Sequence, residues 1–393
     1  MDVQLKKSVL ALRINFFFMG VLMGGWSTRI PELKTALKMS DATLGRTLIG
    51  SACGAFLISR VIGTLIRELG TKKTFYLGSL VFPLGYLTIA FAPNAYFVFL
   101  GIFFFVIGYL LLDNPLTIIT QEIERKTDRK YLSGFHGFWS IGTLAAAFFG
   151  SFLIGRIRYS IHLTGIAVIV FAVLLWNARL LENKKNEDGP AEKKELPWKG
   201  NIGYFVLLIG IGMMVSNSAE FGATDWSALF LRDVLSITGQ LYVGAYLAFE
   251  IGMILSRTLG DKYIHAYGPA AVIRACGFVG SLSWLVTMLI GVSIDHFNKP
   301  AAYCIILLGY FIAGCGVGPL FPGFITILGN RSGIEMSVAL SRAFLISTLG
   351  FAFIPATIGF ISDATSLTYG MMLPIALLFI AGVLPKLTAR FAR

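Results

Sequence analysis

The chain has 393 residues, of which 56% are hydrophobic and only 14% are charged, and its mean hydropathy is +0.75. Because a soluble domain carries roughly 25% charged residues, this composition excludes an ordinary soluble protein. The apolar residues could supply on the order of a dozen membrane spans of roughly 20 residues each. The net charge of +12 would suggest a nucleic-acid partner only if the chain were soluble.

Twelve apolar runs, each bounded by charged or turn residues, follow one another along the chain. They lie at residues 9–28, 41–62, 74–92, 96–119, 132–154, 160–180, 202–229, 238–256, 270–292, 301–328, 336–361 and 367–386. The first run lacks a small-residue cleavage pattern, so we expect a span rather than a removable signal peptide. The longest polar interruption predicts a cytoplasmic linker over 181–200, between six-helix bundles over 1–180 and 201–393.

The positions of the basic residues predict the orientation of these spans. If both termini and the linker are cytoplasmic, 22 of the 33 Lys and Arg residues lie on that side, seven lie on the other side, and four lie within spans. Cytoplasmic loops are enriched in Lys and Arg, so we expect a multi-pass protein of the cell inner membrane with both termini inside. The excess positive charge is then no sign of a nucleic-acid partner.

The two halves of the chain resemble each other in register. Trp26–Ser27 at the end of span 1 corresponds to Trp226–Ser227 at the end of span 7, and Ser59–Gly70 corresponds to Ser256–Gly268. Similar pairs join Ser140 to Thr348, Gly142 to Gly350 and Pro115 to Pro322. Such matches indicate two parallel six-helix repeats, an architecture that places a solute site near the membrane midplane.

The loop between spans 2 and 3 carries a motif of its own. It reads GTLIRELGTKK and resembles the cytoplasmic signature of the major facilitator superfamily, although Arg67 stands where an acidic residue is usual. The resemblance implies an all-α membrane fold and transport by alternating access. It also implies a role in gating for Gly63, Arg67, Gly70, Lys72 and Lys73. Two further stretches, Phe135–Gly142 and Glu220–Asp233, are similar to bacterial members of the fucose-permease-like branch.

Charged residues inside spans are costly and are therefore candidates for function. Asp113 in span 4 precedes Asn114 and Pro115, and the proline removes a backbone donor, which would loosen the helix there. His136 at the start of span 5 could pair with Asp113 and shuttle protons. Alternatively, Asp113 caps a neighbouring helix or pairs with an arginine, and His136 bonds a backbone carbonyl.

Two uncharged residues in the first half are further candidates for solute binding. Asn15 in span 1 could face the cavity, and Trp139, one turn after His136, could stack on a ring-shaped solute. Ordinary helix packing would explain both residues equally well.

The second half contains three carboxylates within its spans, of which Asp225, near the outer surface, is best explained as an ordinary solvated residue. Glu220 in span 7 shares a helix face with Asn217 and could bind and release a proton. Glu250 lies near the middle of span 8 and is either a proton site or the structural partner of an arginine. Arg342 in span 11 and Arg46 in span 2 are its candidate partners, although both side chains could instead reach the nearer membrane interface.

Several motifs are missing from the sequence. It contains no GxxxxGK[ST], HExxH or GxSxG pattern and no His or Cys cluster, so we expect no enzymatic activity, no cofactor and no metal site. We therefore predict a monomeric secondary transporter that carries a small polar, sugar-like solute by proton symport. A proton-driven exporter of amphipathic compounds and a non-transporting receptor or assembly factor are the alternatives.

Overall fold

A computed structural model describes residues 3–127, 131–183, 198–331 and 336–391. Within these residues the secondary structure consists of helices and turns, without a β-strand. Most of the predicted linker, residues 184–197, lies outside the described residues.

The helices follow the predicted spans closely. In chain order they are α1 Val3–Ser27, α2 Ile30–Ala36, α3 Asp41–Leu69, α4 Thr71–Ala90, α5 Ala95–Thr127, α6 Leu132–Ser151, α7 Tyr159–Ala178, α8 Gly200–Asp233, α9 Gly244–Tyr267, α10 Pro269–Ile294, α11 Lys299–Val317, α12 Leu320–Gly329, α13 Met336–Ala364, α14 Leu367–Gly370 and α15 Met372–Thr388. Each of the twelve apolar runs coincides with one helix or with two consecutive helices. Within the described residues, nine helical segments are long and apolar enough to cross a membrane, as judged from their length and composition.

The structure adds local detail to two of the predicted spans. The run at 301–328 is one apolar segment, Lys299–Gly329, but its helix is interrupted between α11 and α12, which end and begin on either side of Gly318 and Pro319. Proline lacks a backbone N–H and cannot continue the hydrogen-bond ladder, which accounts for the break. The run at 238–256 begins with a 3-10 turn over Gly239–Val243, and its α-helix starts only at Gly244.

The chain divides into two compact units. Unit 1 comprises Met1–Met39 and Arg46–Gly189, and unit 2 comprises Ser40–Gly45 and Pro190–Arg393.

In unit 1, α1 packs on α6 and α7, and α4 packs on α5 and α7. Glycine allows the closest of these approaches. A Cβ atom placed on Gly20 or Gly24 would lie 2.0 Å from the carbonyl oxygen of Trp139 or Thr143 on α6. The four-residue spacing of these two glycines therefore serves helix packing here.

Unit 2 repeats the same arrangement with the corresponding helices. Its first helix, α8, packs on α13 and α15, and α10 packs on α11 and α15. A Cβ atom on Gly314 of α11 would lie 2.1 Å from the carbonyl oxygen of Phe249 on α9. Because equivalent helices pack together in both units, the predicted fold of two parallel six-helix repeats is confirmed.

A buried arginine joins three segments of unit 1. Arg29 follows α1 and is fully buried, although the charge count places it in a loop. Its Nε donates a 2.9 Å hydrogen bond to Nδ1 of His162 on α7, and its Nη1 donates to Glu32 on α2. Because Nδ1 of His162 accepts this bond, the imidazole is neutral and its other nitrogen carries the proton.

Candidate transport site in the second unit

Three charged residues of unit 2 lie close together between α8 and α9. Arg257 on α9 donates from Nη2 to Oε2 of Glu220 on α8, at 2.9 Å. Glu250 lies two turns before Arg257 on the same face of α9, and it is close enough for the charges of Glu220 and Arg257 to act on it. These three residues form the charge cluster.

Burial differs among the members of the charge cluster. Glu250 is 2% exposed, and its Oε2 finds no hydrogen-bond partner among the described residues. The side chain of Glu220 is 13% exposed, and that of Arg257 is 34% exposed. The cluster therefore extends from a fully buried carboxylate to a guanidinium that solvent or a solute can reach.

The arginine in this cluster differs from those that the sequence suggests. Arg342 lies with its guanidinium 4.0 Å from the ring centroid of Trp198, whereas the guanidinium that acts on Glu250 is that of Arg257. The charge count assigns Arg257 to a cytoplasmic loop, because it follows the apolar part of span 8. The sequence feature that indicates the proximity of Glu250 and Arg257 is their seven-residue spacing, since it places both residues on one helix face.

Asn217 lies three residues before Glu220 and faces α13. Its side-chain Nδ2 donates a 3.2 Å hydrogen bond to Oγ of Ser347. A cavity of about 10 Å³, which has room for about one water molecule, lies beside it and is lined by Asn217, Ser218, Phe221, Gly350, Ile354 and Pro355. Asn217 therefore fixes α8 to α13 at the wall of a small cavity.

The predicted site residues of unit 1 lie on α1, α5 and α6. Oδ1 of Asp113 is buried and accepts no hydrogen bond from the described residues. The exposed His136 packs edge-on against Phe16, with ring centroids 5.1 Å apart, and the Asp113–His136 pair stays a prediction. Asn114 donates to the carbonyl oxygen of Leu110 on its own helix, and α5 continues through Pro115.

Two other polar groups of unit 1 are buried without partners. Asn15 is fully buried, and neither side-chain atom of its amide has a hydrogen bond within the described part of the chain. The same holds for Nε1 of Trp139, whose backbone carbonyl faces Gly20. Buried polar groups are normally satisfied, so a solute or a water could bond to these donors and acceptors only if the surrounding helices move to expose them.

The signature loop forms a turn that holds the end of α7. Gly70 has φ +84° and precedes α4, and a Cβ atom there would lie 2.3 Å from Oδ1 of Asn183. That same oxygen accepts the backbone N–H of Lys72 at 3.1 Å, so Asn183 caps α4 from a distant part of the chain. Nζ of Lys72 also donates to the carbonyl oxygen of Arg179.

The other three residues of the signature loop, Gly63, Arg67 and Lys73, are exposed. Gly63 is exposed, and nothing lies within 4 Å of the position of its Cβ. Arg67 and Lys73 are exposed side chains at the end of α3 and the start of α4.

A family model described as Major Facilitator Superfamily matches residues 10–331, which is most of the chain. The chain belongs to this superfamily. An MFS-type transporter of Yersinia pestis is 28% identical over 364 residues, covering 91% of this chain and 89% of the relative. A cis,cis-muconate transport protein of Acinetobacter baylyi is 23% identical, covering 69% of this chain and 66% of the relative.

Solved structures share the fold of this transporter. The crystal structure of the nucleoside transporter NupG superposes with a TM-score of 0.68 at 15% identity. The match covers 98% of this chain and 98% of that one. Membership of the Major Facilitator Superfamily, rather than this likeness of fold, makes the chain a multi-pass membrane transporter for a small-molecule solute.

Proposed function

We propose that this transporter is a symporter that couples uptake of a small polar solute to protons, in the cell inner membrane with both termini cytoplasmic. The supporting observation is Glu250, a carboxylate that is 2% exposed and has an unpartnered oxygen. An ionised carboxylate in such a place costs several kcal/mol unless it is compensated. Among the described residues, the guanidinium near Glu250 is that of Arg257, which is already bonded to Glu220, and protonation would neutralise Glu250 without a further cation.

Two other features support transport of a polar solute. Unit 1 contributes unpartnered hydrogen-bonding groups on Asn15 and Trp139, which a hydroxyl-rich or amide-bearing solute could satisfy. The solutes named for relatives differ widely, since one relative is a cis,cis-muconate transport protein and one structural neighbour is a nucleoside transporter. Assignment to the fucose-permease-like branch stays a prediction from sequence.

The test is solute accumulation in liposomes that contain the purified protein, with the outside one pH unit more acidic than the inside. Coupling to one proton allows up to about tenfold accumulation, because one pH unit corresponds to about 1.36 kcal/mol. We expect the Glu250→Gln variant to equilibrate the solute without concentrating it. The control is Glu122→Gln, which removes a carboxylate that pairs with Arg125 near the end of α5.

Four results would contradict this function. Accumulation that survives a protonophore, or normal accumulation by Glu250→Gln, would exclude proton coupling through Glu250. Solute movement against the proton flow would indicate the exporter. Absence of flux for every solute would indicate a receptor or an assembly factor.

A further inference from the structure

Arg257 has more hydrogen-bonding capacity than its bond to Glu220 uses. A guanidinium carries five N–H donors in a planar fork that matches a carboxylate through two parallel bonds. Among the described side chains, Glu220 takes one of these donors, from Nη2. The side chain of Arg257 is 34% exposed, so a solute can approach it without unfolding the helix pair.

The charge cluster has two carboxylates and one guanidinium. With every group ionised its net charge is −1, and Glu250 has no hydrogen bond to its Oε2 from the described residues. A carboxylate brought by a solute would be the third anion around a single cation. Partial burial makes such an excess of negative charge costly, because its interactions are weakly screened there. Binding of an anionic solute is therefore favoured when Glu220 or Glu250 takes up a proton.

We propose, on the basis of the proposed proton coupling, that the transported solute carries a carboxylate and that Arg257 binds it, displacing Glu220. The displaced Glu220 then lies near Glu250 without its cation. Two neighbouring carboxylates resist ionising together, so the pair binds a proton. Solute and proton promote the binding of each other to the same extent, as linkage requires. Arg257 is thus both the solute-binding residue and the origin of the coupling.

The sign of the proton change distinguishes this mechanism from others. When a carboxylate solute binds at Arg257, the protein takes up protons. A neutral sugar-like solute adds no charge and changes the number of bound protons little. A cationic solute would pair with Glu220 or Glu250 and release protons. Calorimetry in two buffers of different ionisation enthalpy measures this number directly.

The experiment uses the purified full-length protein and pairs of probes that differ only in charge. Nicotinate is compared with nicotinamide, benzoate with benzamide, and succinate with succinamide, at pH 6.5. We expect at least one carboxylate to bind about tenfold more tightly than its amide and to take up about one proton. Arg257→Gln should abolish the preference, and Arg257→Lys should retain part of it. Glu250→Gln should keep the preference but bind fewer protons.

Two further variants are controls for effects of Arg257→Gln that do not depend on solute binding. Arg257→Gln leaves Glu220 unpaired, so the double variant Arg257→Gln/Glu220→Gln replaces the ion pair with a neutral pair. It should fold and still lack the carboxylate preference. Arg232→Gln is the matched control, since it removes an arginine that pairs with Asp233 at the end of α8.

The outcomes separate this inference from the proposed function. If no carboxylate binds better than its amide while a neutral solute accumulates with the pH gradient, the inference is wrong and proton-coupled transport stands. If carboxylates bind through Arg257 with proton uptake but no gradient drives their flux, the carboxylate-binding role of Arg257 stands and the transport proposal fails. A carboxylate preference that survives Arg257→Gln overturns the inference.

Discussion

Replacing Gly24 with alanine should destabilise unit 1 by separating α1 from α6. The added Cβ atom would lie 2.0 Å from the carbonyl oxygen of Thr143. Close carbon–oxygen contacts in proteins are about 3.3 Å, so the two backbones must move apart by about 1.3 Å. Overpacking costs about 1–3 kcal/mol when side chains can adjust. Here helix backbone opposes the new atom, so we expect a loss of about 3 kcal/mol.

Thermal unfolding of the purified protein in detergent measures this loss. For a unit of this size, 1 kcal/mol shifts the melting temperature by about 2–4 °C, so Gly24→Ala should lower it by about 6–12 °C. The control is Gly165→Ala on α7, where nothing lies within 4 Å of the new atom. Alanine is favoured over glycine within helices by about 0.5–1 kcal/mol, so the control should melt slightly higher than the parent.

Equal melting temperatures for the two variants would refute this reasoning. The same conclusion would follow if Gly24→Ala were as stable as the parent protein. Either result would mean that α1 and α6 do not approach as closely as the carbonyl contact requires.

Three further substitutions test other contacts of unit 1. Arg29→Leu should lower the melting temperature by an amount corresponding to about 3 kcal/mol, because it breaks a buried charged network. An unchanged melting temperature would contradict a stabilising role of this network. Gly70→Ala should slow transport and lower stability, because alanine disfavours φ +84° and its Cβ atom would collide with Asn183. Normal transport by this variant would show that the α3–α4 turn tolerates a shift. Asn15→Leu should raise stability by about 1–3 kcal/mol by removing an unsatisfied amide, and it should weaken solute binding; unchanged binding would exclude Asn15 from the site.

The sequence predicts the helices well because apolar runs of about 20 residues have one common explanation in a membrane. The repeat between the halves is also visible from the spacing of small and polar residues, such as Gly142 and Gly350. Both glycines face the corresponding first helix of their unit, since added Cβ atoms would meet Phe17 and Ser218 respectively. Local pattern and helix pairing therefore agree over most of the chain.

The pairing of charged residues could not be predicted in the same way. Arg257 follows the apolar part of its run and resembles a loop residue, yet α9 continues ten residues beyond it. Its partner Glu220 lies on another helix, and no spacing rule connects residues 37 positions apart. The burial of Arg29 could not be predicted for a related reason. A charged residue after a span is normally solvated, whereas α2 and α7 enclose the side chain of Arg29.

The cap that Asn183 provides to α4 defines where unit 1 can be separated for study. Asn183 accepts the N–H of Lys72, and the carbonyl oxygen of Glu182 accepts the hydroxyl of Thr71. A fragment that stops at Ala178, where α7 ends, would lose both bonds and expose the start of α4. A fragment that stops after Asn183 would keep them. For dissecting the transporter by fragment expression, the first half therefore ends five residues after its last helix.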